Sequence, residues 1–230
     1  MPQAVTVVTI CRNNPAEVHS TMKSVALQRL SPSRHVVVDS SRADRAASIR
    51  RLCASFGAEY VFTAPRGIYP AMSVGLGLLE DDEYAWFLNS GDLLATRNAV
   101  REAMQALATK QGPAPDWIIG KTIALDRFLG HKLKFAGSGP EFARKLESGQ
   151  IGLPHSSTIT RVSALRSVGA FERTGIAEDY RIGLVMLRRG LRPKLLDAPL
   201  SIYDESGASS TSPVQTVFSK LRARIHNQSL

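Results

Sequence analysis

An α/β fold, with a mostly parallel central sheet flanked by helices, is predicted by three observations. Short β-branched runs alternate with amphipathic stretches between residues 4 and 109, the pattern of successive βαβ units. The connections between them are short, and parallel strands need a crossover of helix length between each pair. Polar residues collect where the apolar runs stop: Asn13 and Asn14 after the first, Asp39 after the second, Arg66 after the third and Asp92 after the fourth. Ligands of parallel sheets bind beyond the carboxyl ends of the strands, so this placement marks one edge as the working edge.

The elements follow in order. Ala4–Ile10 reads as a buried strand and ends in the polar turn Cys11-Arg12-Asn13-Asn14. Pro15 opens a helix to about Leu30, with Val18, Met22, Val25 and Ala26 on one face. Arg34–Val38 is a second strand, Ala43–Phe56 a helix and Glu59–Phe62 a third strand. After the loop Pro65-Arg66-Gly67, Tyr69–Leu79 reads as helix and Tyr84–Leu88 as a fourth strand. Beyond a helix near Asn98–Thr109 the pattern loosens. Gln111–Pro115 is a turn, Trp117–Asp126 a strand, Glu178–Arg189 a helix and Lys194–Leu196 a strand.

Composition bounds what such a chain does. Its 230 residues, 43% apolar and 21% charged, suffice for one sizeable core and argue against disorder. The expected organisation is one domain over 1–211, with an N-terminal half (1–110) and a C-terminal half (111–211), followed by a basic tail over 212–230. Lys and Arg number 29 against 20 Asp and Glu, a net charge of +9 that favours anionic partners. No helix-turn-helix, zinc or aromatic RNA-binding pattern accompanies the charge, so nucleic acid is not an expected partner. The stretch from Arg181 to Lys194, with Arg188, Arg189 and Arg192 and no acid, and the tail's Lys220, Arg222 and Arg224 read as basic faces. They are either ordinary solvated surface or a seat on an anionic membrane. Two cysteines, Cys11 and Cys53, are too few for a disulfide framework and point to a reducing, cytoplasmic setting. No apolar run approaches the ~18–20 residues of a membrane span.

Several residue types carry chemistry at these positions. Asp92, in Asn89-Ser90-Gly91-Asp92, is a carboxylate at a strand's end, suited to a hard cation held against a diphosphate; the same tetrapeptide is also good turn chemistry. Asp39 is placed to accept hydrogen bonds from a base or ribose, or to cap the following helix together with Ser40 and Ser41. Arg66 precedes a helix N-terminus, where anions are favoured. Glu178-Asp179 supplies two carboxylates at a helix start, one of them suited to be a general base, although acids there also suit the helix dipole. His155 stands in a polar segment as a partner for a phosphate, a metal or an acceptor. Cys11 follows a strand without a base nearby in sequence and reads as a small buried residue.

Taken together these segments resemble the family 2 inverting glycosyltransferases of the GT-A fold, from about Val5 to Ser209. The carriers are Thr9–Asn14, Val36-Val37-Val38-Asp39-Ser40-Ser41, Gly67-Ile68-Tyr69-Pro70-Ala71-Met72, Phe87-Leu88-Asn89-Ser90-Gly91-Asp92, His155, Gly169-Ala170-Phe171-Glu172, Glu178-Asp179 and Gly207-Ala208-Ser209. The Gly-Ile-Tyr-x-Ala-Met segment is most like the branch that builds bacterial surface polysaccharides. The resemblance implies a nucleotide-diphospho-sugar donor, UDP-linked by preference, a glycan or lipid-linked acceptor, and Mn²⁺ or Mg²⁺ on Asp92. It implies that Thr9, Cys11, Asn13, Asn14, Asp39 and Ser40 hold the nucleoside. Arg66, Gly67, Tyr69, Met72, Asn89, Ser90 and Gly91 would line the nucleotide-sugar. Asp179 would be the catalytic base, and His155, Glu178 and Ser209 would serve the acceptor or diphosphate. Ser90 replaces the first acid of the family's Asp-x-Asp, and Pro65-Arg66 stands where an acid usually precedes Gly-Ile-Tyr.

Overall fold

The first apolar run forms β1 (Val5–Cys11), buried along its whole length. That is what a run without polar alternation requires, since it has no face suited to water. Residues 4–108, 112–126, 130–134, 140–172 and 178–204 are described by this structure, a computed structural model. On one side β1 pairs in parallel with β2 (Arg34–Asp39), and β2 in parallel with β3 (Glu59–Phe62). On the other side β1 pairs in parallel with β4 (Tyr84–Asn89). The expected parallel half is therefore present, and its registers set Cys11 beside Asp39, Asp39 beside Phe62, and Ile10 beside Asn89.

The second half adds strands of both senses. β5 (Leu93–Leu94), β6 (Trp117–Asp126), β7 (Gly130–Lys134), β8 (Thr158–Arg161) and β9 (Pro193–Asp204) complete one sheet of nine strands among the described residues. Its order is β3-β2-β1-β4-β8-β6-β9-β5, with β7 on β6. β8 is antiparallel to both β4 and β6, while β6 and β9 run in parallel. β9 is much longer than the expected Lys194–Leu196. Asp197-Ala198-Pro199 interrupts its apolar pattern, and Pro199 sits opposite Lys121 where the β6–β9 register shifts, an irregularity that accommodates a residue without an N–H. Gly120 lies under Leu200 there, and a methyl group in its place would stand 2.3 Å from the Leu200 side chain.

Helices cover both faces. α1 (Pro15–Ala26), α2 (Ala43–Phe56) and α4 (Ala99–Leu107) pack on one, bringing Val18, Met22, Ile49, Val100 and Ala103 onto the odd-numbered strand residues Val5, Val7 and Val37. α3 (Ile68–Leu76), α5 (Pro140–Glu147), α6 (Val162–Ser167) and α7 (Glu178–Arg188) cover the other, with Met72, Leu146, Leu165 and Leu184 in a cluster with Val8, Val36 and Phe87. α1 stops at Ala26, short of the expected Leu30, because the chain is drawn off towards the loop before α4: Arg29 N–H donates to Arg97 O at 2.8 Å and the Gln28 amide to Thr96 O at 2.7 Å.

Within the stretch Arg181–Lys194, Arg181 is buried while Arg188, Arg189 and Arg192 are exposed; Lys194 Nζ donates to Ala106 O, Arg189 to Ser167 O, and Arg192 to Ala114 O and to Asp116. The tail's Lys220, Arg222 and Arg224, like Ser209 and the Gly207–Ser209 segment, lie outside the described residues.

Candidate functional site

The turn after β4 carries Asp92 and is tied down from within. Gly91 adopts φ 99°, a backbone conformation that favours glycine. Its N–H donates to Thr21 Oγ1 at 2.9 Å, and the same hydroxyl donates to Asp92 O at 2.8 Å, so one α1 threonine fastens both ends of the turn's tip. Asp92 Oδ2 accepts from Asn89 N–H at 3.1 Å. Asn14, at the end of the β1 turn, donates through Nδ2 to Ser90 Oγ at 2.6 Å. Asn13, at φ 61°, donates from its N–H to Ser41 Oγ and accepts from Arg42 N–H, joining the β1 and β2 turns.

His155 links this turn to the start of α7. A short 3₁₀ turn, His155–Ser157, precedes β8 and is held by Trp86 Nε1, which donates to Ser156 O at 2.8 Å. His155 Nε2 lies 2.8 Å from Asn89 Nδ2 and 3.9 Å from Asp92 Oδ2, and Nδ1 lies 3.9 Å from Asp179 Oδ2. Burial alone pulls the imidazole down, but Asp179 and Asp92 outweigh it, so its pKa sits above the ordinary value. Asp179 Oδ1 accepts from Tyr180 N–H at 2.9 Å. Glu178 faces inward instead: its carboxylate takes a two-pronged bond from Arg181, at 2.7 and 2.5 Å, with side chains only 2% and 9% exposed. Arg181 also donates to the carbonyls of Val168 and Gly169. That turn ends in Phe171, at φ 64°, whose ring stacks on Tyr69 at 6.3 Å and meets Phe87 edge-on at 4.9 Å. Such a backbone angle is costly for a bulky residue and persists only where the surroundings enforce it. A cavity of about 30 Å³ lies here, with His155, Asp179, Phe171 and the buried Met72 in its lining.

The remaining sequence-derived candidates are placed less uniformly. Tyr69 Oη accepts from Glu178 N–H at 3.3 Å. Burial and then Asp179 push that phenol's pKa up. Gly67, at φ 116°, and the exposed Arg66 form the loop before α3. Asp39 is completely buried: Oδ1 accepts from Ser41 N–H and the Cys11 thiol, Oδ2 from Tyr60 Oη. Burial, with Asp39 beside it, drives the Cys11 thiol's pKa up, so it stays protonated. Ser40 bonds back to Cys11 O. Thr9 takes no place in this cluster: it is buried in β1 with its hydroxyl 2.9 Å from His35 Nε2.

No protein-family model matches the chain. An uncharacterized glycosyltransferase of Mycobacterium tuberculosis, found in strains CDC 1551 and H37Rv, is 29% identical over 223 residues, covering 95% of this chain and 81% of the relative. Among solved structures, residues 1–349 of S. aureus TarS superpose with TM-score 0.70 at 17% identity, over 99% of this chain and 67% of that one. The mannosyltransferase PcManGT of Pyrobaculum calidifontis, solved with GDP-Man and Mn²⁺, gives 0.70 at 15% identity over the same shares. Glucosyl-3-phosphoglycerate synthase of Mycobacterium tuberculosis, solved with Mn²⁺ and UDP, gives 0.66 at 14% identity, over 96% and 80%. The chain has the GT-A fold.

Within this GT-A sheet Asp92, Asn89 and His155 offer part of a cation site. Among the described residues no group of three or more His, Cys, Asp or Glu would hold a metal alone. Asp92 keeps Oδ1 uncommitted, and Asn89 Oδ1 is a buried acceptor without a partner. A hard divalent ion that draws its other ligands from a diphosphate fits such an oxygen-rich half-site. Burial raises the Asp92 pKa to about 6, against the opposing pull of His155 and Asn89 N–H. Between the ordinary carboxylate range and about pH 6 the unfolded chain has lost this proton and the folded chain has kept it. Stability therefore falls as pH rises through that window, and the full cost stands above it. Asp92→Asn, measured by urea unfolding without metal, is expected to stabilise the protein at pH 8 by up to ~3 kcal/mol, and by little at pH 4.

Thr21 and Tyr60 carry no signal of their contribution in the sequence, and Arg181, expected only as part of a basic face, is instead the partner of Glu178. The Glu178-x-x-Arg181 spacing was the one available signal, since residues three apart face each other on a helix.

Proposed function

We propose that the chain is an inverting, metal-dependent glycosyltransferase that moves a sugar from a nucleotide-diphospho-sugar to a hydroxyl of a glycan or lipid-linked acceptor. The observation that carries this reading is the line Asp92–His155–Asp179, with two 3.9 Å steps across the carboxyl ends of the strands. A carboxylate suited to a diphosphate-bound cation and a second suited to take a proton stand on opposite sides of one imidazole.

In this reading the donor's diphosphate lies over Asn89–Asp92, with Asn14 and Thr21 holding the turn in shape. Asp92, with Asn89 beside it, would hold Mn²⁺ or Mg²⁺, which when bound supplies positive charge against the leaving diphosphate. Asp179 takes the proton of the acceptor hydroxyl as that oxygen attacks the anomeric carbon from the face opposite the diphosphate. The C–O bond to the acceptor forms as the bond to the diphosphate breaks, and no covalent intermediate on the protein is required. His155 holds Asp179 and Asp92 in a fixed relation, and Tyr69 with Phe171 forms an apolar wall beside the reacting centre. Residues of the β1 and β2 turns, Cys11, Asn13, Asp39 and Ser40 among them, form the floor under the nucleoside.

The mycobacterial relatives' name and the UDP, UDP-GlcNAc and GDP-Man complexes of the structural neighbours support nucleotide-sugar transfer. Surface-polysaccharide assembly as the setting rests on the Gly67–Met72 and Asn89–Asp92 segments. A cytoplasmic protein meeting lipid-linked acceptors at the membrane face accords with that setting; no helix of the described residues is long and apolar enough to cross a membrane.

Thermal unfolding with a panel of nucleoside diphosphates and nucleotide-sugars, with and without Mn²⁺, tests the reading. A ligand at 100 times its dissociation constant adds ~2.7 kcal/mol to the native state. The expected result is a manganese-dependent rise in Tm for one nucleotide class, lost in Asp92→Ala. A folded wild type that no nucleotide stabilises overturns the assignment and favours a non-catalytic protein that keeps the fold.

A further inference from the structure

His155 rides on a turn that is held from more than one strand. From β4, Trp86 Nε1 donates to Ser156 O at 2.8 Å. From β9 the hold is a chain of three hydroxyls, Ser156, Ser201 and Ser157, which are 3%, 0% and 0% exposed. The chain has one direction. Ser157 Oγ donates to Lys121 O on β6 at 3.0 Å, and a carbonyl can only accept. Ser157 therefore accepts from Ser201 Oγ at 2.5 Å, and Ser201, its own proton given away, accepts from Ser156 Oγ at 3.0 Å. Hydroxyls aligned in this way polarise and strengthen one another in a dry interior.

We propose that Ser201 is a positioning residue for sugar transfer: its hydroxyl holds the His155 turn, and through His155 it sets where Asp179 stands. This rests on the roles given to His155 and Asp179 under the proposed function. Three observations carry it. Ser201 is fixed from both sides, paired in register with Leu94 of β5 and Thr122 of β6, so it is a firm point against which the turn is placed. The turn is only His155–Ser157, and two of its three residues belong to the hydroxyl chain, so a shift of Ser156 and Ser157 carries His155 with it. The Asp92 turn, by contrast, is tied down separately, by Thr21 and by Asn14 through Ser90. Loosening the hold of β9 therefore disturbs the His155 and Asp179 side of the site and leaves the diphosphate side in place.

Ser201→Ala keeps the backbone pairings of β9 and removes the middle of the chain. The Ser156 hydroxyl is then buried without its acceptor, a cost that the turn relieves by moving. Release of UDP from UDP-GlcNAc or UDP-glucose, and of GDP from GDP-mannose, with water as acceptor and Mn²⁺ present, measures the effect on the donor that the wild type turns over fastest. kcat is expected to fall about tenfold, because misplacing a reacting group by ~1 Å costs up to ~10²-fold. Calorimetric affinity for the matching nucleoside diphosphate should stay within about twofold, the mark of a loss confined to the chemical step. Ser156→Ala cuts the same chain at its head, so the double variant should be no slower than Ser201→Ala alone.

A readout independent of turnover is hydrogen exchange of the Trp86 indole N–H, followed by NMR. Ser201→Ala should speed it about tenfold as the turn loosens. The Trp117 indole, which donates to Leu191 O, should keep its rate and serves as the internal control. An unchanged kcat in folded Ser201→Ala, a nucleotide affinity that falls as far as kcat, or effects of the two serines that simply multiply would overturn the positioning role. So would unchanged protection of the Trp86 indole. A folded wild type that releases no nucleotide from any of the donors overturns instead the proposed function, and the indole exchange still decides whether Ser201 holds the turn.

Discussion

Asp179→Asn is expected to bind donor nucleotide as the wild type does and to lose about 10²–10⁴-fold in turnover. The asparagine carbonyl can still accept from Tyr180 N–H, as Asp179 Oδ1 does at 2.9 Å, so the start of α7 keeps its geometry. What disappears is the basic oxygen. Oδ2 of Asp179 faces His155 at 3.9 Å from a side chain that is 28% exposed, open enough for an acceptor hydroxyl to reach. Initial rates of nucleoside diphosphate release with acceptor present, set beside calorimetric affinities, separate the two effects. Near-normal turnover would move the base elsewhere, with His155 the next group in reach.

The second large effect is on stability. Arg181→Ala is expected to cost about 3–5 kcal/mol, because it leaves the Glu178 carboxylate buried and without its partner. The ion pair is almost wholly enclosed, and Arg181 also serves the carbonyls of Val168 and Gly169. A lysine cannot reproduce the two-pronged geometry, so Arg181→Lys should recover only part of the loss. Urea unfolding at pH 7 measures both. A loss below ~1 kcal/mol for the alanine variant would mean that Glu178 is neutralised by a proton or by entering water, and that the pair does not hold the Phe171 turn.

The centre of the parallel half was legible because β1 and β4 are buried on both faces. Val5–Cys11 and Tyr84–Asn89 have no solvent face, so their sequences are nearly unbroken apolar runs bounded by polar turns. Of β9 only Lys194–Leu196 was legible, since Asp197-Ala198-Pro199 breaks its pattern and only the shift against Lys121 lets the strand continue. The antiparallel pairing of β8 with β4 and β6 rests on side chains from distant segments, such as Trp86 on Ser156 O. In the site, Asp92, His155 and Asp179 were marked from the sequence and stand together in space. Their bonding was not readable. A tyrosine in a four-residue strand carries no polar signature, so nothing along Glu59–Phe62 foretold that Tyr60 would close off Asp39. Thr21, in the middle of a helix, gave no sign of tying down the Asp92 turn.

The pairing of β5 with β9 bears on how the protein is made. Leu93 and Leu94, directly after Asp92, find their strand partners in Ile202 and Ser201. A ribosome adding about 5–20 residues per second delivers those partners on the order of 5–20 s after Asp92 has emerged. Through that interval the nascent chain exposes an unpaired strand edge next to Asp92, a target for chaperones and for association with other chains. Pairings so distant along the chain also close slowly in refolding. Recovery of nucleotide binding after dilution from denaturant should therefore lag behind recovery of helical signal, and competence would be among the last properties the newborn protein acquires.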